Sequence, residues 1–199
     1  MNAVKKKRVK TIIKYTWPLY IGLGIVAVLL LRFIFSVAHR TPAYKTLTVF
    51  VSGEVIDAKK MTDDVTKKYE SNALKEFSYV SANPNDYNYR TMLTASGYNY
   101  ADILIIHASK LAELDTSSFA LELSNELVSS YYQGYSLYQQ DGANYGIKVD
   151  KEKVKEYMTL PNEDCFMLLN AKSENLGEYS KKPNSAHNNA LNLVKDWGM

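Results

Sequence analysis

The sequence predicts an α/β domain, with a mostly parallel sheet flanked by helices, preceded by a single transmembrane helix. Three observations predict it. A basic arm leads into an apolar run at residues 17–38. Beyond it, apolar β-branched runs of strand length alternate with stretches of helical period. The chain holds one cysteine, Cys165, so no disulfide can staple the exterior part within the chain and its core must hold it.

The apolar run, WPLYIGLGIVAVLLLRFIFSVA, carries one charge, Arg32. As a helix, its roughly 22 residues extend about 33 Å, slightly more than a hydrocarbon core. Arg32 lies near the outer end, within reach of the interface through its stem, and Trp17 and Tyr20 suit the inner interface. Lys5, Lys6, Lys7, Arg8, Lys10 and Lys14 precede the run with no acid among them. The positive-inside rule puts residues 1–16 in the cytoplasm and the domain of residues 47–199 outside, after a linker at 39–46. A cleaved signal peptide is the competing reading, with Ser36 and Ala38 as a small-residue cleavage site. The run exceeds the about 7–15 residues of a usual signal core, which favours a retained anchor.

The net charge of +3 hides an asymmetry: residues 1–40 hold eight of the 24 Lys and Arg and none of the 21 acids. The exterior part is therefore acidic, which argues against a nucleic-acid partner.

Residues 47–51, LTVFV, read as a strand buried on both faces. A helix is expected over 59–71 with Met61, Val65 and Tyr69 inward, then a strand over 76–82. NPND at 83–86 is a turn. A helix over 86–95 should bury Tyr89, Met92 and Leu93 and stop at Gly97. Residues 101–107, ADILIIH, form the most strongly buried strand, and a short helix follows at 110–114. Residues 119–123 read as extended, and Ser124 as the cap of a helix ending near Tyr132. Asp141-Gly142 centres a hairpin over 136–149. Residues 165–170 are another buried strand, in which Cys165 is a small buried hydrophobe. A helix from Ser185 to Trp197 closes the chain, with Ala190, Leu193, Val194 and Trp197 on its apolar face.

The pieces LTVFVSGE, KEFSYVSA, YNYADILIIHASKLAEL, FALELS, YGIKVD and CFMLLN, in that order, resemble the N-terminal lobe of the extracellular solute-binding proteins of ABC importers, of the sugar- and oligosaccharide-binding type. YGIKVD resembles the family's hinge-approaching strand Tyr-Gly-Ile-Pro-Val, with Lys148 in place of the proline. The resemblance implies a single-lobe periplasmic-binding-protein-like domain. In the family, the chain leaves after that strand to build a second lobe of well over a hundred residues. Here the excursion is the fifteen residues DKEKVKEYMTLPNED, 150–164, which cannot hold a lobe. A lobe without its opposite number offers a shelf rather than a cleft, so tight solute capture is not expected.

Open α/β sheets bind ligands beyond the carboxyl ends of their strands. The candidate contacts there are Ser52, Gly53 and Glu54 after the first strand, Asn83 after the second, and His107 and Ser109 after the third. The alternative takes them as loop and capping residues, with Ser109 as a helix N-cap. His39, His107 and His187 lack metal-ligand spacing, and the adjacent acids Asp63-Asp64 and Glu163-Asp164 read as solvated charge. No cofactor is implied and no enzyme is expected. Two functions stay open: an anchored accessory of an ABC permease with a weakly bound small solute, or an interaction protein that docks on a membrane complex, or on its own copy, through the exposed cleft face.

Overall fold

In the computed structural model, the structure describes the backbone of residues 3–38, 41–181 and 187–199; within the first stretch, side chains are described for residues 16–36. The side chains of the basic arm, His39 and the expected helix start at Ser185 lie outside the described residues. The chain divides into two compact units, Met1–Arg40 and Thr41–Met199.

The first unit is helix α1, Ala3–Ala38, with Pro18 inside it. Within it Thr16–Ser36 is long and apolar enough to cross a membrane, with none of that window buried. An N-terminal signal sequence shares these features.

In the second unit, strands β1 (Thr46–Ser52) and β2 (Glu54–Val55) precede helix α2 (Ala58–Lys68) and strand β3 (Glu76–Ala82). Helix α3 (Tyr89–Met92) runs into a π-helical segment, Leu93–Tyr98, before β4 (Ile103–His107). Helices α4 (Ala108–Leu111) and α5 (Asn125–Tyr131) lead to the hairpin of β5 (Leu137–Gln140) and β6 (Ala143–Lys148). Helix α6 (Lys151–Val154) and strand β7 (Met158–Thr159) lie in the excursion, and β8 (Cys165–Leu169) and helix α7 (Asn189–Trp197) follow.

Among the described residues, six strands form one sheet in the order β3-β1-β4-β8-β6-β5, and β2 pairs with β7 separately. Four strands, β3, β1, β4 and β6, run one way, and β8 and β5 run the other. The sheet is thus mostly parallel in strand direction, but its hydrogen-bonded neighbours are parallel only across β3-β1-β4. The right-hand half is antiparallel because β8 enters between β4 and β6 against both. Alternation of strands and helices along the sequence did not reveal this: an apolar run is buried equally well in either direction.

Both sheet faces are covered. Leu47, Val49, Ile103, Ile105 and Met167 meet α2, α5 and α7 on one side, and Phe50, Leu104, Ile106 and Leu168 meet Tyr89, Leu93, Leu111 and Phe119 on the other. Full burial of such side chains contributes about 1.5–3 kcal/mol each. Asp57 caps α2 through the Lys60 N–H, Met61, Val65 and Tyr69 are buried, and Ser124 caps α5 through the Leu127 N–H. The Asp141-Gly142 turn has φ of 52° and 83°, the left-handed pair that a two-residue hairpin requires.

Two local expectations change. Met92 is exposed, while Tyr89 and Leu93 are buried. Gly97 does not stop a helix. It lies inside the π-helical turn, where a Cβ would stand 3.1 Å from the ends of both Leu93 and Leu104, so a larger residue would have to displace them slightly. Residues 119–123 run alongside β8 and β6: Ala120 bridges Asn170, and the Leu121 and Leu123 N–H groups donate to the Leu169 and Asn144 carbonyls.

At the amino edge of β4, Asp102 ties three segments together. Its Oδ2 accepts the Thr48 N–H at 2.8 Å, and its Oδ1 accepts the Ser173 hydroxyl and, at 3.2 Å, the Asn175 amide. Burial pushes its carboxyl up to about 6, against the pull of these donors. A cavity of about 370 Å³ adjoins it, lined also by Thr46, Tyr100 and Lys172.

Candidate functional site

The carboxyl ends of β1, β3, β4 and β6 meet the excursion, residues 150–164. Asp150 caps α6 by accepting the Glu152 N–H, and Val154 and Met158 are buried, so a mainly polar segment still carries two apolar anchors. β7 then pairs antiparallel with β2, Glu54 opposite Thr159 and Val55 opposite Met158. The Ile56 N–H extends the pairing to the Tyr157 carbonyl at 2.8 Å. Lys60 and Glu156 form an ion pair at 2.5 Å, and the Tyr157 hydroxyl donates to Asp64 at 3.1 Å. The excursion is therefore a strap folded back over the sheet edge.

The six candidate residues fall into two groups beside this strap. Ser52, His107 and Ser109 meet at its far end. The Ser52 hydroxyl stands 3.2 Å from His107 Nδ1, and His107 Nε2 stands 3.9 Å from Glu163 Oε1. Ser109 donates its N–H to Glu163 Oε2 at 3.0 Å and its hydroxyl to Oε1 at 2.9 Å. Ser52 and His107 are 1% and 3% exposed. Ser109 is not an N-cap: His107 holds that position with no side-chain cap, and Ser109 sits in the first turn of α4 turned to Glu163.

Gly53, Glu54 and Asn83 form the second group, around a groove of about 600 Å³ shared with Pro84, Leu160 and Pro161. A Cβ on Gly53 would lie 2.7 Å from the Thr159 carbonyl oxygen, so the strap approaches this position more closely than any other residue permits. Glu54 is exposed, and the exposed Asn83 turns its Oδ1 to the Asn85 N–H at 3.0 Å.

The open shelf expected from the sequence is thus covered at its centre. Burial lowers the His107 pKa, with Glu163 pulling the other way, so the neutral imidazole is the stable form. Burial works to raise the Glu163 carboxyl, but the two Ser109 donors, His107 and Lys151 hold it below its usual range. The Tyr89 hydroxyl is enclosed beside Ser52, and burial raises it. Ser52, His107 and Glu163 have the order of a nucleophile, base and carboxylate. The adjoining groove is lined by neither Ser52 nor His107, so a substrate in it would not meet the hydroxyl. The arrangement works as a latch: Glu163 binds the strap to α4 and β4.

Sequence reasoning missed Glu163, Lys151 and Thr159. Lys151 Nζ donates to the Pro161 and Glu163 carbonyls at 2.5 and 2.7 Å and folds the strap on itself. Glu163-Asp164 read as solvated charge because an acid pair in a polar run gives no sign of its partners. Both acids are paired, Asp164 to Lys148 at 2.8 Å.

Cys165 lies beneath the latch at 1% exposure, with its thiol pushed up to about 11 by burial. At about pH 8 a thiol-disulfide reagent is expected to leave the native protein unlabelled and to react fully once denaturant is added. Rapid stoichiometric labelling of the native chain would contradict this burial.

No family model matches the chain, and no curated protein matches it. A solved structure similar to part of it is the ABC substrate-binding protein Lmo0181 from Listeria monocytogenes in complex with cycloalternan. Identity is 15%, with a TM-score of 0.33, over 56% of this chain and 32% of that protein. This chain spans about a third of that protein's length.

Proposed function

We propose that this chain is a membrane-anchored, extracytoplasmic, non-enzymatic lobe of solute-binding type that serves a membrane complex such as an importer permease by docking rather than by capturing solute. The observation that carries the reading is the strap. A two-lobed binder closes a second wall over the carboxyl edge of its sheet and gains affinity by excluding water. Here that edge is occupied by residues 150–164, paired to β2 and latched by Glu163 to Ser109. The centre of that edge is spent on internal contacts, and docking is therefore assigned to the domain's outer surface. The apolar window Thr16–Ser36, preceded by six cationic residues, supports the anchor and its orientation.

Titration calorimetry of the full chain in mild detergent, against a panel of sugars and oligopeptides, tests the proposal. No micromolar ligand is expected, and micromolar binding by a monomer would overturn it. Recovery of a permease with the tagged chain from membranes supports the transport setting. A second reading keeps a weak solute site in the groove of Gly53, Glu54 and Asn83, which opens to solvent beside Leu160 and Pro161. Millimolar saturable binding that disappears with Glu54→Ala would favour it.

A further inference from the structure

The two edges of the main sheet are unlike. β5 is four residues long, with a register irregularity between Tyr138 and Gln139, and its Gln140 side chain is engaged by Thr116 and Leu114. Short length and a bulge are the ordinary devices that prevent an edge from pairing further. β3, at the other edge, has neither. It runs seven residues in unbroken register with β1, and Phe77–Ala82, FSYVSA, contains no charge, proline or glycine. Residues 78–81 are half-buried.

Gly53 donates to the Ala82 carbonyl, which fixes the even-numbered residues of β3 toward β1. Strand alternation then turns the N–H and C=O groups of Phe77, Tyr79 and Ser81 outward. No group among the described residues bonds to them. A groove of about 770 Å³ lies at the amino end of the strand, lined by Thr66, Glu70 and Phe77, and the groove of about 600 Å³ lies at its carboxyl end, beside Ser81 and Asn83. Space along this edge is open at both ends.

We propose that β3 is a self-association edge, on which β3 of a second copy pairs antiparallel about a two-fold axis at Tyr79, joining two six-stranded sheets into one. The sequence of the strand selects this occupant. Centring on Tyr79 overlaps the whole strand, with Phe77 opposite Ser81, Ser78 opposite Val80 and Tyr79 opposite its own copy. The outward groups at 77, 79 and 81 then exchange about six hydrogen bonds. Tyr79 meets Tyr79 as an aromatic cross-strand pair, and Glu76 falls opposite Ala82, so no like charges meet. The interface is isologous and closes at two copies. A seven-residue edge, about 23 Å long, is small beside the roughly 1,200–2,000 Å² of a stable interface. Confinement of both copies to one membrane supplies the effective concentration that such an edge needs. This edge is distinct from the strapped carboxyl edge, so the inference rests on the membrane anchor of the proposed reading and not on its docking role.

The test uses the full chain reconstituted in phosphatidylethanolamine–phosphatidylglycerol vesicles. Paired across the axis, two Tyr79 Cα atoms stand about 5.5 Å apart, within disulfide range. Tyr79→Cys is expected to give a disulfide dimer under mild oxidation, while Tyr87→Cys, at a fully exposed turn position off the strand, stays at the wild-type background. Adding Ser81→Lys, the guard that the edge lacks, is expected to cut the cross-link at least tenfold. Step-photobleaching of the labelled wild-type chain, which needs no change within the strand, should count two copies, and Ser81→Lys one. Cross-linking of Tyr79→Cys no greater than of Tyr87→Cys, a dimer indifferent to Ser81→Lys, or a monomeric wild type, as when the edge receives another protein's strand, would each overturn the proposal.

Discussion

Asp102→Ala is expected to lower the unfolding free energy by about 3 kcal/mol, one of the two largest effects among the substitutions considered. The carboxylate joins β1, through the Thr48 N–H, to the segment carrying Ser173 and Asn175. Alanine leaves those donors to find other partners. Asn175 keeps the Thr46 carbonyl at 2.9 Å, whereas the Thr48 N–H loses the acceptor it has. An orphaned buried group costs about 1–3 kcal/mol, and the loss of side-chain packing adds to it. The adjoining cavity of about 370 Å³ is roomy enough to admit water to the freed donors, which keeps the figure from rising further. Equilibrium denaturation of the full chain in detergent, followed by the fluorescence of Trp197 in α7, measures it. A change below about 1 kcal/mol would contradict the network's role.

The same residue gives a pH signature. Its folded-state value, about 6, lies above the ordinary 3.8 because burial disfavours the charge. Between those values the folded chain holds a proton that the unfolded chain has released. This contribution is fully present below about pH 4 and is lost as pH rises through about 6. Asp102→Asn has no such titration. The stability of the wild type relative to Asp102→Asn should therefore fall from pH 4 to pH 6 and then level off. His107, lowered by burial, works the other way, costing stability as pH falls below 6.5, but it is common to both proteins and cancels in the difference. A difference independent of pH would sink the account of Asp102 as a carboxyl desolvated by folding.

Gly53→Val should be comparably damaging for a different reason. The first atom of the new side chain would stand 2.7 Å from the Thr159 carbonyl, a backbone group that cannot swing away, and 3.4 Å from Leu160 Cδ2. Either β1 or the strap must move. Overpacking of this kind costs about 1–3 kcal/mol. The strap is the part with fewer anchors, Val154 and Met158, so it should yield first. The local sign is faster hydrogen exchange at Ile56, whose N–H is bonded to the Tyr157 carbonyl. If Ile56 stays protected while stability falls, the damage lies in the sheet and the strap is not the yielding element.

Much of the domain's framework was legible residue by residue. The runs at 47–51, 101–107 and 165–170 announced strands buried on both faces, because an unbroken apolar stretch of that length has no solvent side. Met61, Val65 and Tyr69 announced the buried side of α2 because four-residue spacing returns to one side of a helix. Asp141-Gly142 announced the hairpin through its tolerance of positive φ. At the carboxyl edge, Ser52 and His107 could be named because the ends of buried strands could be named.

What stayed hidden depends on partners distant in sequence. Gly97 read as a stop signal, whereas the folded chain carries it inside a π turn with Leu93 and Leu104 packed against it. Ser109 read as a cap, until Glu163, fifty-four residues on, took both its donors. The chain itself determined the periodicities: which stretches are strands or helices, which sides are apolar, and where charge gathers. Those are properties of neighbouring residues, and their spacing alone carries them. Tertiary structure alone decided the entry of β8 against β4 and β6, the return of residues 150–164 over the sheet, and the position of β3 at an edge with no further strand among the described residues. Each is a choice among pairings that bury the same side chains, and such choices are made by hydrogen-bond partners and steric room that local sequence does not encode.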